Sequence, residues 1–204
     1  MINGVDLTRE MKIEDAKKKH ARDLACLAIL VGEGIPEFLW QGMIEGDESS
    51  LDVGTRRVAR EEGGFSYRNA RICLENDEVL GMILSYRQPE PYEVGDLSEY
   101  HDVVHPLIKL EAQAPGSWYV NAVATYEKHR GKGVASKLIA DAEARARAVG
   151  CELMSLIVGS ENDNARAFYQ HLGFNDVASF PVVSPQGRTH GGDWVLMTKR
   201  INTK

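Results

Sequence analysis

The segment Val123-Ala124-Thr125-Tyr126-Glu127-Lys128-His129-Arg130-Gly131-Lys132-Gly133-Val134-Ala135 constrains this chain more than any other. It reads as a strand that empties into a glycine-rich turn and then opens a helix. Two glycines, Gly131 and Gly133, allow left-handed dihedrals and close backbone approach. The first N–H groups of the helix that follows lack partners within it and lie at the positive end of its dipole. Such a junction suits an anion such as a phosphate. Arg130 and Lys132 add positive charge at the same place.

The rest of the chain bounds what can surround that junction. Its 204 residues, 43% hydrophobic and 26% charged, suffice to bury a core in one domain spanning 1–204. A net charge of -6 argues against nucleic acid as a partner, which would call for a basic face. Cys26, Cys73 and Cys151 lie too far apart for a zinc motif or a disulfide framework. No leader pattern opens the chain, and no apolar run approaches the ~18 residues of a membrane span. The expectation is a cytoplasmic protein with no membrane partner. His101 and His105 have the spacing of two ligands on a helix, but Pro106 interrupts the segment and no third ligand is near. No metal is expected.

Periodicity places the elements. Residues 12–16 read as a strand, and Ala21, Leu24, Leu27, Ala28 and Val31 recur at helical spacing until Gly32. A second helical stretch covers 36–46. Residues 70–75 and 79–87 form a hairpin about Asn76-Asp77, with Gly81 marking a bulge. An insertion at about 88–116, rich in proline and acid, precedes a strand at 117–124. After the turn, Ala135, Leu138, Ile139, Ala142, Ala146 and Val149 make one apolar helical stripe ended by Gly150. Residues 153–158 are an inner strand, 162–172 a helix capped by Asn162 and ended by Gly173, and 174–183 and 194–200 two further strands.

In this order the chain resembles the GNAT superfamily of acyl-coenzyme A N-acetyltransferases over residues 118–174. Its R/Q-x-x-G-x-G/A signature is filled by Arg130, Gly133 and Ala135. The second half, N-x-x-A-x-x-φ-Y followed by G-F, where φ is an apolar residue, is filled by Asn162, Ala165, Phe168, Tyr169, Gly173 and Phe174. The resemblance implies an α/β fold, a twisted mixed sheet of six or seven strands with helices on both faces, and acetyl-CoA as co-substrate entering between two central parallel strands. Carried over residue by residue, it puts the diphosphate on main-chain amides of Arg130, Gly131, Lys132, Gly133, Val134 and Ala135. It sets the pantetheine arm along Val123, Ala124 and Thr125, with Asn162 and Asn164 as further contacts. Tyr169 would stand near the sulfur as general acid, its phenol holding a proton at neutral pH.

One position departs from the pattern. Many family members carry a carboxylate on the strand that here reads Trp118-Tyr119-Val120-Asn121-Ala122, and Asn121 is not a useful base. Glu111, just before that strand, is the expected substitute, acting through water, with Glu61, Glu62 and His190 as alternatives. The resemblance implies an N-acetyltransferase acting by direct attack of a primary amine, either a small molecule or a protein amine. A homodimer is compatible with it. The alternative is a non-catalytic acyl-CoA sensor or regulatory module. Five carboxylates at Glu90, Glu93, Asp96, Glu99 and Asp102, with no Lys or Arg among them, would favour a cationic small amine if the insertion covered the pocket. Tyr92, Tyr100, Trp40 and Trp118 are the aromatics that could line it.

Overall fold

The computed structural model describes residues 10–184 and 191–201. The expected strands form as β1 (Lys12–Asp15), β2 (Ala70–Glu75), β3 (Glu78–Arg87), β4 (Trp118–Thr125), β5 (Leu153–Gly159), β6 (Asn175–Pro181) and β7 (Asp193–Arg200). They make one seven-stranded mixed sheet in the order β1-β2-β3-β4-β5-β7-β6. The near-continuous apolar run of β5 suits a strand covered on both faces, and β5 is the parallel partner of β4 near the centre of the sheet. Asn76 and Asp77 take φ of 51° and 64°, the left-handed pair that a tight hairpin between β2 and β3 requires.

The helices are α1 (Ala21–Val31), α2 (Ile35–Gln41), α3 (Ser50–Val58), α4 (His105–Glu111), α5 (Val134–Ala148) and α6 (Asp163–His171). On one face, Val134, Leu138, Ile139, Ala142 and Ala146 of α5 pack on Leu80, Ile83, Val120, Met154 and Leu156. Leu138 is fully buried there, and its truncation to Ala would cost roughly 2–5 kcal/mol. On the opposite face α1, α3 and Trp40 pack on Ile72, Met82, Leu84 and Ala124.

Two helices were not anticipated. The start of α3 is a capping box: Ser49 Oγ accepts from the Asp52 N–H at 3.2 Å, and Asp52 Oδ2 accepts from the Ser49 N–H at 3.0 Å. Helix α4 begins at the proline that reads as an interruption, because Pro106 sits in the first turn, where a missing N–H breaks no helical bond. The second helical stretch stops at Gln41 rather than continuing to 46.

The ladders position the site. β4 pairs with β5 only through Trp118↔Met154, Tyr119↔Ser155 and Val120↔Leu156. Beyond that point β4 follows β3 as far as Gly81↔Thr125, while β5 follows β7 as far as Gly159↔Trp194. Each strand stays with its antiparallel neighbour, so the parallel pair parts and a wedge opens between them. Asn121 is the extra residue of a bulge in β4, between Ser85↔Val120 and Leu84↔Ala122. The bulge expected at Gly81 lies beside it, since the β2–β3 register passes from Cys73↔Gly81 to Leu74↔Val79.

Candidate active site in the wedge between β4 and β5

The wedge opens into a cleft of about 680 Å³. One wall consists of Asn121, Ala122 and Val123 of β4, Arg130, and Asn162, Ala165 and Tyr169 on one stripe of α6. The other is made by the α1–α2 connection, Trp40, Arg57 of α3, Phe65, and Leu107 and Glu111 of α4.

Beside the first wall, next to Arg130, the glycine turn has the conformation its sequence implies, although none of Gly131 through Ala135 lines the cleft itself. Gly131 and Gly133 take φ of 75° and 79°, and a Cβ on either would meet nothing within 4 Å. Gly133 is the N-cap of α5 and offers no side-chain acceptor, so the first amides of a fifteen-residue helix are uncapped by it. The Arg130 N–H already donates to the Glu127 carbonyl at 3.1 Å, which narrows the expected nest of amides to Gly131 through Ala135. The Lys132 side chain is exposed, with Nζ 3.5 Å from His129 Nδ1.

Val123 lines the cleft, Ala124 is buried against α1 and α3, and Thr125 Oγ1 is buried with no partner among the described residues. Asn162 does two things at once: Oδ1 accepts from the Ala165 N–H at 3.2 Å, capping α6, and Nδ2 donates to Glu33 Oε1 at 3.3 Å. Asn164 is exposed and does not reach the cleft, since the cleft-facing stripe of α6 runs through 162, 165 and 169 and its position falls off it. Tyr169 is half-buried, its ring 5.4 Å from that of Phe168 and 6.0 Å from that of Phe174. Desolvation, reinforced by the charge of Glu33, pushes its phenol up to about 12.

Glu33 was not foreseen from the sequence. It takes a left-handed φ of 52°, followed by Gly34 at 85°, and this reversal between α1 and α2 carries its carboxylate across the wedge. A Cβ on Gly159 would stand 2.6 Å from Glu33 Oε2. The signal available was Gly32-Glu33-Gly34 between two helical patterns.

Glu111 ends α4 on the second wall. Its Oε2 accepts from the Tyr92 hydroxyl at 2.9 Å and from Gln88 Nε2 at 3.3 Å, and the Tyr119 hydroxyl is a further donor. Desolvation nevertheless dominates and raises the carboxyl above its usual range, with those donors opposing the shift. Among the alternatives, Glu61 is engaged by Tyr67 and Arg68 and lines no part of the cleft, Glu62 is exposed outside it, and His190 lies outside the described residues.

The insertion does not cover the pocket. None of Glu90, Glu93, Asp96, Glu99 and Asp102 lines the cleft, nor do Tyr92 and Tyr100, because the segment folds back through short turns into α4 and only Leu107 and Glu111 reach inward. Trp118 lies on the α5 face with the Arg145 guanidinium 5.1 Å from its ring, whereas Trp40 does line the cleft. His101 Nδ1 accepts from the Val103 N–H at 3.3 Å. No cluster of three metal-ligating side chains occurs among the described residues, and no helix among them is long and apolar enough to cross a membrane.

Comparison with known proteins bears on this geometry. Residues 37–174, more than half of the chain, match the model of the acetyltransferase (GNAT) family. An uncharacterized N-acetyltransferase of Bacillus subtilis (strain 168), YdgE, is 33% identical over 120 residues, covering 59% of this chain and 71% of the relative. The fold is similar to that of the Drosophila melanogaster polyamine N-acetyltransferase, described as catalysing the formation of N-acetylagmatine, at a TM-score of 0.68 and 12% identity over 94% of this chain and all 100% of that one. It is also similar to a chain of the NatC complex bound to Gag peptide and CoA, with a TM-score of 0.55 and 15% identity over 95% of this chain and 99% of the other. At such identities the solved structures speak for the fold alone. The family match and the YdgE alignment carry the assignment further: this chain belongs to the acetyltransferase (GNAT) family of coenzyme A-dependent N-acyltransferases.

Proposed function

We propose that the protein transfers an acetyl group from acetyl-CoA to a primary amine, with Glu111 as general base and Tyr169 as the hydrogen-bond donor to the departing sulfur. The observation that carries this reading is that a half-buried carboxylate, Glu111, and a half-buried phenol, Tyr169, line one cleft, which the parting of β4 and β5 opens.

The residues present fit the coenzyme. A Cβ on Gly131 or Gly133 would meet nothing within 4 Å, so the turn leaves open space before the first amides of α5, which supports a diphosphate seat there with Arg130 beside it. Past Val120 the β4 edge has no ladder partner in β5, so Val123, Ala124 and Thr125 are available to an extended amide-bearing arm by strand addition. The orphaned Thr125 Oγ1 and the Asn162 side chain are further polar contacts for it. When bound, acetyl-CoA supplies an acyl thioester whose carbon takes the amine nitrogen as the C–S bond breaks.

The chain's own groups handle the protons. A carboxylate whose pKa is raised by burial is a stronger base than one in water, so Glu111 accepts the amine proton, directly or through one water. The phenol at about 12 compares with about 8.5 for an alkyl thiol, a gap that costs about 5 kcal/mol for full transfer. Tyr169 therefore acts chiefly by donating a hydrogen bond to the departing sulfur and keeping its own proton. Such a charge-assisted bond is worth roughly 1.5–3 kcal/mol.

Thiol release from acetyl-CoA with a panel of primary amines tests the reading. Amine-dependent release that fails in Glu111→Gln supports it. Tight coenzyme binding with no release across the panel would instead favour the sensor.

A further inference from the structure

Four charged side chains line the cleft: Glu33, Arg57, Glu111 and Arg130. Arg130 is taken up by the coenzyme seat, Glu33 by Asn162 and Glu111 by its donors. Arg57 has no such role. It is half-buried on α3, its Nε is shielded from water with no hydrogen-bond partner among the described residues, and its nearest polar engagement is Nη1 against Met43 Sδ at 3.4 Å.

Its neighbours show what is unusual. Arg22 pairs with Asp52 at 3.2 Å, Arg56 with Glu48 at 2.9 Å, and Arg68 with Glu61. The one arginine of this group that faces the cleft has no carboxylate partner among the described residues. Burial, with Arg60 and Arg56 close by, lowers its pKa, and no carboxylate among the described residues opposes that shift. A guanidinium is also the side chain whose fork matches a carboxylate in two bonds.

We propose that Arg57 seats a carboxylate carried by the acceptor, so that the substrate is an amino acid whose amine meets Glu111 and whose acid group meets Arg57. The inference rests on the acetyl-transfer reading above. Trp40, Phe65, Leu39 and Ile29 on the same wall give the rest of the molecule an apolar surface. A coenzyme phosphate is the other anion to weigh. Helix α3 belongs to the core on the face of the sheet opposite α5, away from the turn that offers the amides, which favours the acceptor.

The test uses amino acids whose carboxylate stands one to five carbons from the amine, each beside its decarboxylated and its amidated counterpart. At least one carboxylate-bearing acceptor is expected to exceed both counterparts by about tenfold or more in kcat/KM. Arg57→Ala removes that preference, leaving the counterparts and coenzyme affinity unchanged, and Arg57→Lys restores part of it. Calorimetry with the N-acetylated amino acids on CoA-loaded protein reads the same seat without turnover, and affinity should fall about tenfold in Arg57→Ala. Circular dichroism checks that the variants fold. The proposal is overturned if amides or simple amines match every acid, if Arg57→Ala lowers all acceptors alike, or if it weakens coenzyme binding instead. Absence of turnover with every amine, alongside Arg57-dependent binding of the acids, would fell the acetyl-transfer reading and leave the carboxylate seat standing.

Discussion

The two walls of the cleft are built on different principles. The first, from the β4 edge to α6 with the glycine turn beside it beyond Arg130, presents main chain: an unpaired strand edge and the uncapped amides of α5. The second, from the α1–α2 connection through α3 to α4, presents charged side chains, Glu33, Arg57 and Glu111, and desolvation shifts the last two. Main-chain recognition requires little of residue identity beyond glycine where φ is positive, so one wall can serve one coenzyme across many sequences. Side-chain recognition depends on which ionisable groups are desolvated, and there a single residue changes the chemistry.

The largest effect is expected beside the first wall. Gly133→Val places a β-branched residue at φ 79° and fills the space before the α5 amides, so coenzyme affinity should fall by more than about 100-fold with the fold intact. Near-normal affinity by calorimetry would show that the turn does not hold the diphosphate.

On the second wall, Glu111→Gln should lower kcat by about 10²–10³ and remove the acid limb of the pH–rate profile, since the proposed base works deprotonated. The same group carries a stability consequence of opposite sense. Its proton is held more tightly in the folded state, so the stability associated with neutral Glu111 is complete below the unfolded carboxylate value and is lost as pH rises through the raised folded one. The Gln variant should therefore melt progressively higher than wild type as pH moves from acid to neutral. A constant difference in Tm across that range would contradict the buried-carboxylate account.

Tyr169→Phe sharpens the boundary between the walls. Removing only the hydroxyl should lower kcat about tenfold to 100-fold while acetyl-CoA affinity stays level, because the ring keeps its contacts with Phe168 and Phe174. An unchanged kcat would reduce it to a packing residue. The smallest effect is expected at Ser49→Ala, which breaks the cap of the helix carrying Arg57. About 1 kcal/mol should be lost, a fall of roughly 2–4 °C in Tm, with coenzyme binding untouched.

Legibility in the sequence follows the same division. The turn at 131–133, the apolar stripe of α5 and the cap at Asn162 are local: each depends on neighbours within one or two turns of chain, and each stands where periodicity puts it. Helix α3 was legible too, through Ser49 and Asp52, but its apolar positions are few and short. Helix α4 was hidden by reading Pro106 as a stop when the first turn tolerates it. The acidic insertion illustrates the limit from the other side, since a run of carboxylates says nothing of which surface it faces, and none of the five reaches the cleft.

The order of elements, the glycine turn before α5 and the pairing of that turn with a tyrosine-bearing helix are written in residue order alone, because backbone dihedrals and helical periodicity are properties of short stretches. Packing of distant segments is what parts β4 from β5 after Val120, carries Glu33 across the gap to Asn162, and brings Glu111 and Arg57 into one cleft with Tyr169. Those relations join residues up to more than a hundred positions apart, and the ionisation of Glu111, Arg57 and Tyr169 depends on how much water their surroundings exclude. That quantity exists only once the chain has packed.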